Sequence, residues 1–179
     1  ACLQISFGAY YGFVALYMRD LDYSGQQTGI FIALGVLAEV GIFLIARRLI
    51  SQFGVWNLLF VSIALTGLRW YVMAAFADPF MVIVLSQLIH ALSFGLTHAV
   101  SVHFIHQFLP KAYQSRGQAV YISIAFGLGG AFGNYMAGQQ WQQGTNAYET
   151  FVTAAVFAAI GALSLLLCSK KEMESAKAA

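Results

Sequence analysis

Apolar residues run through this chain in six blocks, each closed by a short cluster of charged or turn-forming residues. The first block, Ala1–Met18, stops at Arg19-Asp20-Leu21-Asp22-Tyr23-Ser24-Gly25; the second, Thr28–Ala46, stops at Arg47-Arg48; the third, Val55–Ala77, stops at Asp78-Pro79. The fourth, Phe80–Gln107, stops at Pro110-Lys111; the fifth, Gly117–Ala137, gives way to GQQWQQGTNAYE; the sixth, Thr150–Cys168, ends at Ser169-Lys170-Lys171. A helix needs about 17–25 such residues to cross the roughly 30 Å hydrocarbon core of a bilayer. The pattern therefore predicts an all-α polytopic membrane protein: six transmembrane helices over residues 1–168 and a polar tail over 169–179.

Composition agrees. Of the 179 residues 60% are hydrophobic and only 9% charged, with a mean hydropathy of +0.73, whereas a soluble domain carries about 25% charged residues. The net charge of +2 marks no nucleic-acid partner, because the basic residues sit at the ends of the blocks instead of forming a basic face. Their distribution orients the chain: Arg47, Arg48, Lys111, Arg116, Lys170, Lys171 and Lys177 fall on one side and only Arg19 on the other. Cytoplasmic loops carry the excess of Lys and Arg, so both ends of the chain are expected in the cytoplasm. Trp56, Trp141, Tyr23 and Tyr148 lie near block ends, where amphipathic rings favour the membrane interface. Cys2 and Cys168, at opposite ends of the hydrophobic region, are read as packing residues or idle thiols. The opening Ala1-Cys2-Leu3-Gln4 has no initiator Met, basic n-region or cleavage site, which reads as a piece of a longer protein without a signal peptide.

Candidate chemistry comes from the polar residues inside the blocks. A charge at the bilayer centre costs at least about 2.5–3.5 kcal/mol, so each is a functional-site candidate by default. At 1.5 Å of rise per residue, Glu39, Arg69 and His90 lie about 16, 12 and 15 Å from the outer surface. Their chemistry is complementary: a carboxylate, a permanent cation and an imidazole, the side chain whose unperturbed pKa is near neutrality. Ser86, His90, Ser93, Thr97 and Ser101 share one helical side of the fourth block, Ser62, Thr66 and Arg69 do so in the third, and Thr28, Gly35 and Glu39 in the second. These sides predict a common polar cavity. Tyr10 and Tyr11, flanked by Gly8 and Gly12, are expected to stack on an aromatic or sugar ring.

Other patterns carry less. His98, His103 and His106 lie toward the cytoplasmic end of the fourth block; a metal reading lacks neighbouring carboxylates or thiolates, and a haem reading lacks axial ligands from facing helices. No cofactor and no nucleophile–base spacing of an enzyme is expected. Gly127-Leu128-Gly129-Gly130-Ala131-Phe132-Gly133 has the spacing of a dinucleotide loop but lies in mid-block and follows no strand. Gly129 and Gly133 instead form a GxxxG pair for close helix packing, and Asn134 beside them offers a polar contact to the cavity.

On these residues the chain resembles the C-terminal six-helix half of a major facilitator superfamily transporter, most closely the phenylpropionate permease family, with lactose and nucleoside proton symporters related. The segments that carry the resemblance are Gly8-Ala9-Tyr10-Tyr11-Gly12-Phe13, Leu34-Gly35-Val36-Leu37-Ala38-Glu39-Val40, Leu68-Arg69-Trp70 and Gln87-Leu88-Ile89-His90. Ala46–Gly54 is a degenerate form of the superfamily's basic loop. The resemblance implies a three-plus-three inverted repeat, an N-terminal six-helix half completing the cavity, and a bacterial inner-membrane location. It also implies a proton symporter of a small organic solute, an aromatic acid among the classes. Glu39 and His90 would couple protons; Tyr10, Tyr11, Arg69, His90, Ser93 and Asn134 would meet the solute. Ser93 stands where the lactose symporters have a second acid, which moves the weight of coupling onto Glu39. The alternatives are a drug or metabolite proton antiporter and, from another class, a non-transporting receptor or assembly module.

Overall fold

A computed structural model describes residues 1–77 and 79–175; Asp78 and Lys177, used above to mark a loop and a basic tail, lie outside the described residues. The elements are α1 (Cys2–Ser6), α2 (Gly8–Asp20), α3 (Gly25–Phe53), α4 (Val55–Phe76), α5 (Phe80–His90), α6 (Thr97–Phe108), α7 (Gln114–Tyr121), α8 (Gly130–Trp141), α9 (Ala147–Ser164) and α10 (Lys170–Ser175). A π-helical stretch, Ala91–Leu96, joins α5 to α6, and a second, Ile122–Gly129, joins α7 to α8. Among the described residues four helices are long and apolar enough to cross a membrane: Gly25–Phe53, Val55–Phe76, Phe80–Phe108 and Ala147–Leu167.

Local chemistry sets the boundaries. Ser24 opens α3 with a capping box: its Oγ accepts from the Gln27 backbone N–H at 3.3 Å while Gln27 Oε1 accepts from the Ser24 N–H at 2.9 Å. Gly54, at φ 78°, separates α3 from α4 in a conformation that favours glycine. The first orphan donors of α4 are met from far along the chain. The N–H groups of Val55 and Trp56 donate to the two carboxylate oxygens of Glu174 in α10, at 3.1 and 2.9 Å. Lys170 Nζ donates to Asn57 Oδ1 at 2.8 Å, so the basic end of α9 and the segment after Arg47-Arg48 meet at the same end of the bundle.

Small residues let the helices close on one another. Ala155, Ala158 and Ala159 of α9 face α4, where a methyl on Gly67 would lie 3.3 Å from the Ala155 carbonyl and 3.6 Å from the Ala158 Cβ. The predicted Gly129–Gly133 pair lies against α1, where a Cβ on Gly133 would run into the Ile5 backbone and one on Gly8 into that of Gly133. Around these contacts Phe7, Tyr10, Tyr17, Met18, Trp70, Met73, Trp141 and Phe151 form the larger core. By contrast α3 buries only Thr28, Phe31, Gly35 and Ala46, the narrowest buried face of the long helices.

Candidate functional site

The narrow buried face of α3 carries Glu39 to the centre of the bundle, against α5 and the π stretch that follows it. Glu39 Oε1 lies 2.8 Å from His90 Nε2, and the other imidazole nitrogen, Nδ1, is 2.9 Å from Arg69 Nη1. A guanidinium can only donate, so Nδ1 accepts, and Nε2 carries the proton and donates it toward the carboxylate. The three residues levelled by sequence therefore form one hydrogen-bonded chain in the order Arg69, His90, Glu39. Arg69 reaches the acid through the imidazole, and the carboxylate and guanidinium share no contact.

Arg69 is almost completely buried. Its Nε donates to Ser86 Oγ at 3.0 Å, and its guanidinium carbon lies 4.7 Å from the centre of the Tyr10 ring and 4.2 Å from that of Trp70. Two aromatic faces thus replace part of the hydration that the cation has lost. Tyr10 also stacks on His90, with centres 5.1 Å apart, and donates from its hydroxyl to Gln87 Oε1 at 2.7 Å. Arg69 Nη2, Gln87 Nε2 and Ser93 Oγ are buried with no protein partner among the described residues. Buried polar atoms are nearly always paired, which singles out this level of the bundle as one with donors to spare.

The expected water-lined sides of the third and fourth blocks face each other. Ser86 is spent on Arg69, Thr97 Oγ1 donates to Ser62 Oγ at 2.8 Å, and Ser62, Thr66 and Thr97 are buried among α4, α5 and α6, while Ser93 of the π stretch, buried too, keeps its unpaired Oγ. Periodicity located the polar stripes correctly, but two such stripes satisfy each other as readily as they line a channel. What remains open is a different set. Tyr11 is 53% exposed, the Glu39 side chain keeps 13% of its surface exposed, and Phe94 and His98 are partly exposed beside them. Asn134 is exposed across Gly12 and bonds only its own helix, Nδ2 donating to the Gly130 carbonyl at 2.9 Å, so it stands apart from the chain of three. His103 and His106 are exposed near the end of α6. Gln87 belongs to this level too, and its sequence signal is a neutral carboxamide in mid-block, costly without a partner though less so than a charge.

A family model described as "MFS_1 like family" matches residues 1–153. The chain is 33% identical over 145 residues to a "Probable 3-phenylpropionic acid transporter" of Escherichia coli (strain K12), covering 78% of this chain and 36% of that protein. It is 28% identical over 156 residues to a "Maltose permease" of Geobacillus stearothermophilus, covering 84% of this chain and 38% of the relative. It thus spans a little over a third of the length of the curated relatives it matches. No solved structure matches the chain significantly.

Proposed function

Because the chain belongs to the MFS_1 like family, a family of major facilitator transporters and not of enzymes, we propose that it forms one six-helix half of a proton-coupled symporter for a small organic solute. In this reading the halves alternate access in the bacterial inner membrane, the six helical segments make a three-plus-three inverted repeat, and a second six-helix half, in the same or a separate chain, closes the cavity. Both ends of this segment face the cytoplasm, supported by the basic residues gathered at one end. The two named relatives support an aryl carboxylate first and a sugar second, and an exposed Tyr11 is a surface on which either ring stacks.

The observation that carries the mechanism is the chain Arg69–His90–Glu39. With Glu39 ionised, its carboxylate occupies the Nε2–H of His90 and pins α3 to α5. A proton on Glu39 removes the charge-assisted part of that bond, loosens α3 and leaves the imidazole N–H, backed by Arg69, free for the carboxylate of the solute. In this reading proton binding precedes solute binding, which ties the movement of one to the other. Ser93 and Asn134 supply the further polar contacts, and Tyr10, held on Gln87, sets the imidazole plane. The test is uptake of 3-phenylpropionate and of maltose by the full-length carrier in proteoliposomes, with the pH gradient imposed inward and outward. Glu39→Gln should exchange solute and fail to accumulate it. A Glu39→Gln carrier that concentrates solute as the parent does would remove the acid from coupling, and accumulation against the opposite gradient would make the carrier an antiporter.

A further inference from the structure

His90, Phe94 and His98 stand four residues apart along the continuous helix formed by α5, the π stretch and α6, and their rings stack in succession: centres 5.7 Å apart at 3° for the first pair and 6.4 Å at 10° for the second. Two rings from the facing segment meet this row, Phe126 standing across it as a wall and Tyr121 lying nearly parallel to it. Phe126, carried by the second π stretch, stands at 86° to Phe94 and 89° to His98, with centres 5.9 and 5.6 Å away. Tyr121, at the end of α7, lies 28° from the His98 plane at 5.8 Å, and its hydroxyl is 3.3 Å from His98 Nδ1. The corner is continuous with the site above through Tyr11, whose ring centre is 6.1 Å from that of Phe94.

All four rings are partly exposed. They do not belong to the lipid-facing surface, because His98 Nε2, turned to hydrocarbon, would be left without a partner at high cost. Nor are they a closed core, since the second imidazole nitrogen, Nε2, is bonded to no protein atom among the described residues. A floor of parallel rings meeting a wall at right angles is a shape for one flat ring, which can stack on the floor and present its edge to the wall. We propose that Phe94, His98, Tyr121 and Phe126 form a second subsite, roughly 12 Å along the helix from His90, that takes the aromatic ring of the solute on the cytoplasmic side of the Glu39–His90 pair, with His98 Nε2 facing its polar substituent. This rests on the functional reading above and adds a station that the proton-coupling chain does not require. The π geometry supports it, since wide helical turns concentrate at functional sites, and here they carry one ring of the floor and the wall.

The two sides of the carrier test it. With proteoliposomes of the full-length carrier, the half-saturating concentration of 3-phenylpropionate is measured for efflux, from the cytoplasmic face, and for uptake, from the outer face. Phe126→Leu and His98→Leu each remove a ring from the corner and leave Glu39, Arg69 and His90 untouched; Phe126→Tyr keeps the wall. The expected result is a three- to tenfold rise in the efflux value for both leucine variants, less than a twofold change in the uptake value, and near-parent values for Phe126→Tyr. Equal changes on the two faces, no change on either, or the same loss in Phe126→Tyr as in Phe126→Leu would overturn the subsite and leave the rings as packing between α6 and α7. If the parent carrier moves neither 3-phenylpropionate nor maltose, the functional reading falls, and the subsite with it.

Discussion

His90 is fixed from both sides: Arg69 donates to one nitrogen and Glu39 accepts from the other. The hydrogen-bonded link between the acid and the guanidinium therefore runs through the ring. Arg69→Gln strands a buried carboxylate–imidazole pair and should cost about 3–5 kcal/mol of stability; Glu39→Gln, at a site that retains some exposure, should cost less. The double variant should lose less than the sum, by about 0.5–3 kcal/mol, in denaturation of the purified carrier; strict additivity would break the proposed chain. Tyr10→Phe leaves the Gln87 carboxamide with neither end paired and should cost about 1–3 kcal/mol in the same assay. The trio was legible in the sequence because charge in mid-block is costly and depth can be counted at a fixed rise. Its order was not, because periodicity gives the side a residue faces and not which of two neighbours it reaches. Ser86 shows the same limit: its side was read correctly, while its partner is Arg69 and not water.

Helices here meet through what they lack. Gly130 and Gly133 occupy the same glycine-rich run, yet a Cβ on Gly130 meets nothing within 4 Å, whereas one on Gly133 enters the Ile5 backbone. Alanine is a better helix former than glycine by about 1 kcal/mol. Gly130→Ala should therefore leave thermal stability unchanged or raise it, and Gly133→Ala should lower it, since α1 must move away. Equal effects would remove the close packing of α1 on α8. The sequence carried this contact openly as a GxxxG pair in an apolar block. It hid the two π stretches, because an inserted wide turn leaves composition and hydropathy untouched and alters only where Phe94 and Phe126 point. The same logic applies at Gly95, where an added methyl would lie 3.3 Å from Glu39 Cγ, so Gly95→Ala should disturb the acid without replacing any polar group.

Across the whole molecule the helical bundle was the most legible feature, since six apolar blocks dictate it, and the tail the least. Residues after Cys168 read as a short polar end, but Glu174 caps α4, the carbonyl of the same residue accepts from Gln107 at 3.4 Å, and Met173 packs on the second core with Val55 and Leu58. Glu174→Ala should cost about 0.5–2 kcal/mol, the range for loss of a helix cap, whereas Glu172→Ala, on an exposed carboxylate, should leave the melting temperature unchanged; calorimetry of the two side by side checks it. The contact joins residues 119 apart in sequence. During synthesis α4 is made and threaded well before its cap exists, so two backbone donors at its start stay wet until α10 leaves the ribosome. The emergence of α10 thus becomes the moment at which this face of the bundle is fastened, and a chain stopped before Glu174 would carry α4 but leave it unlatched.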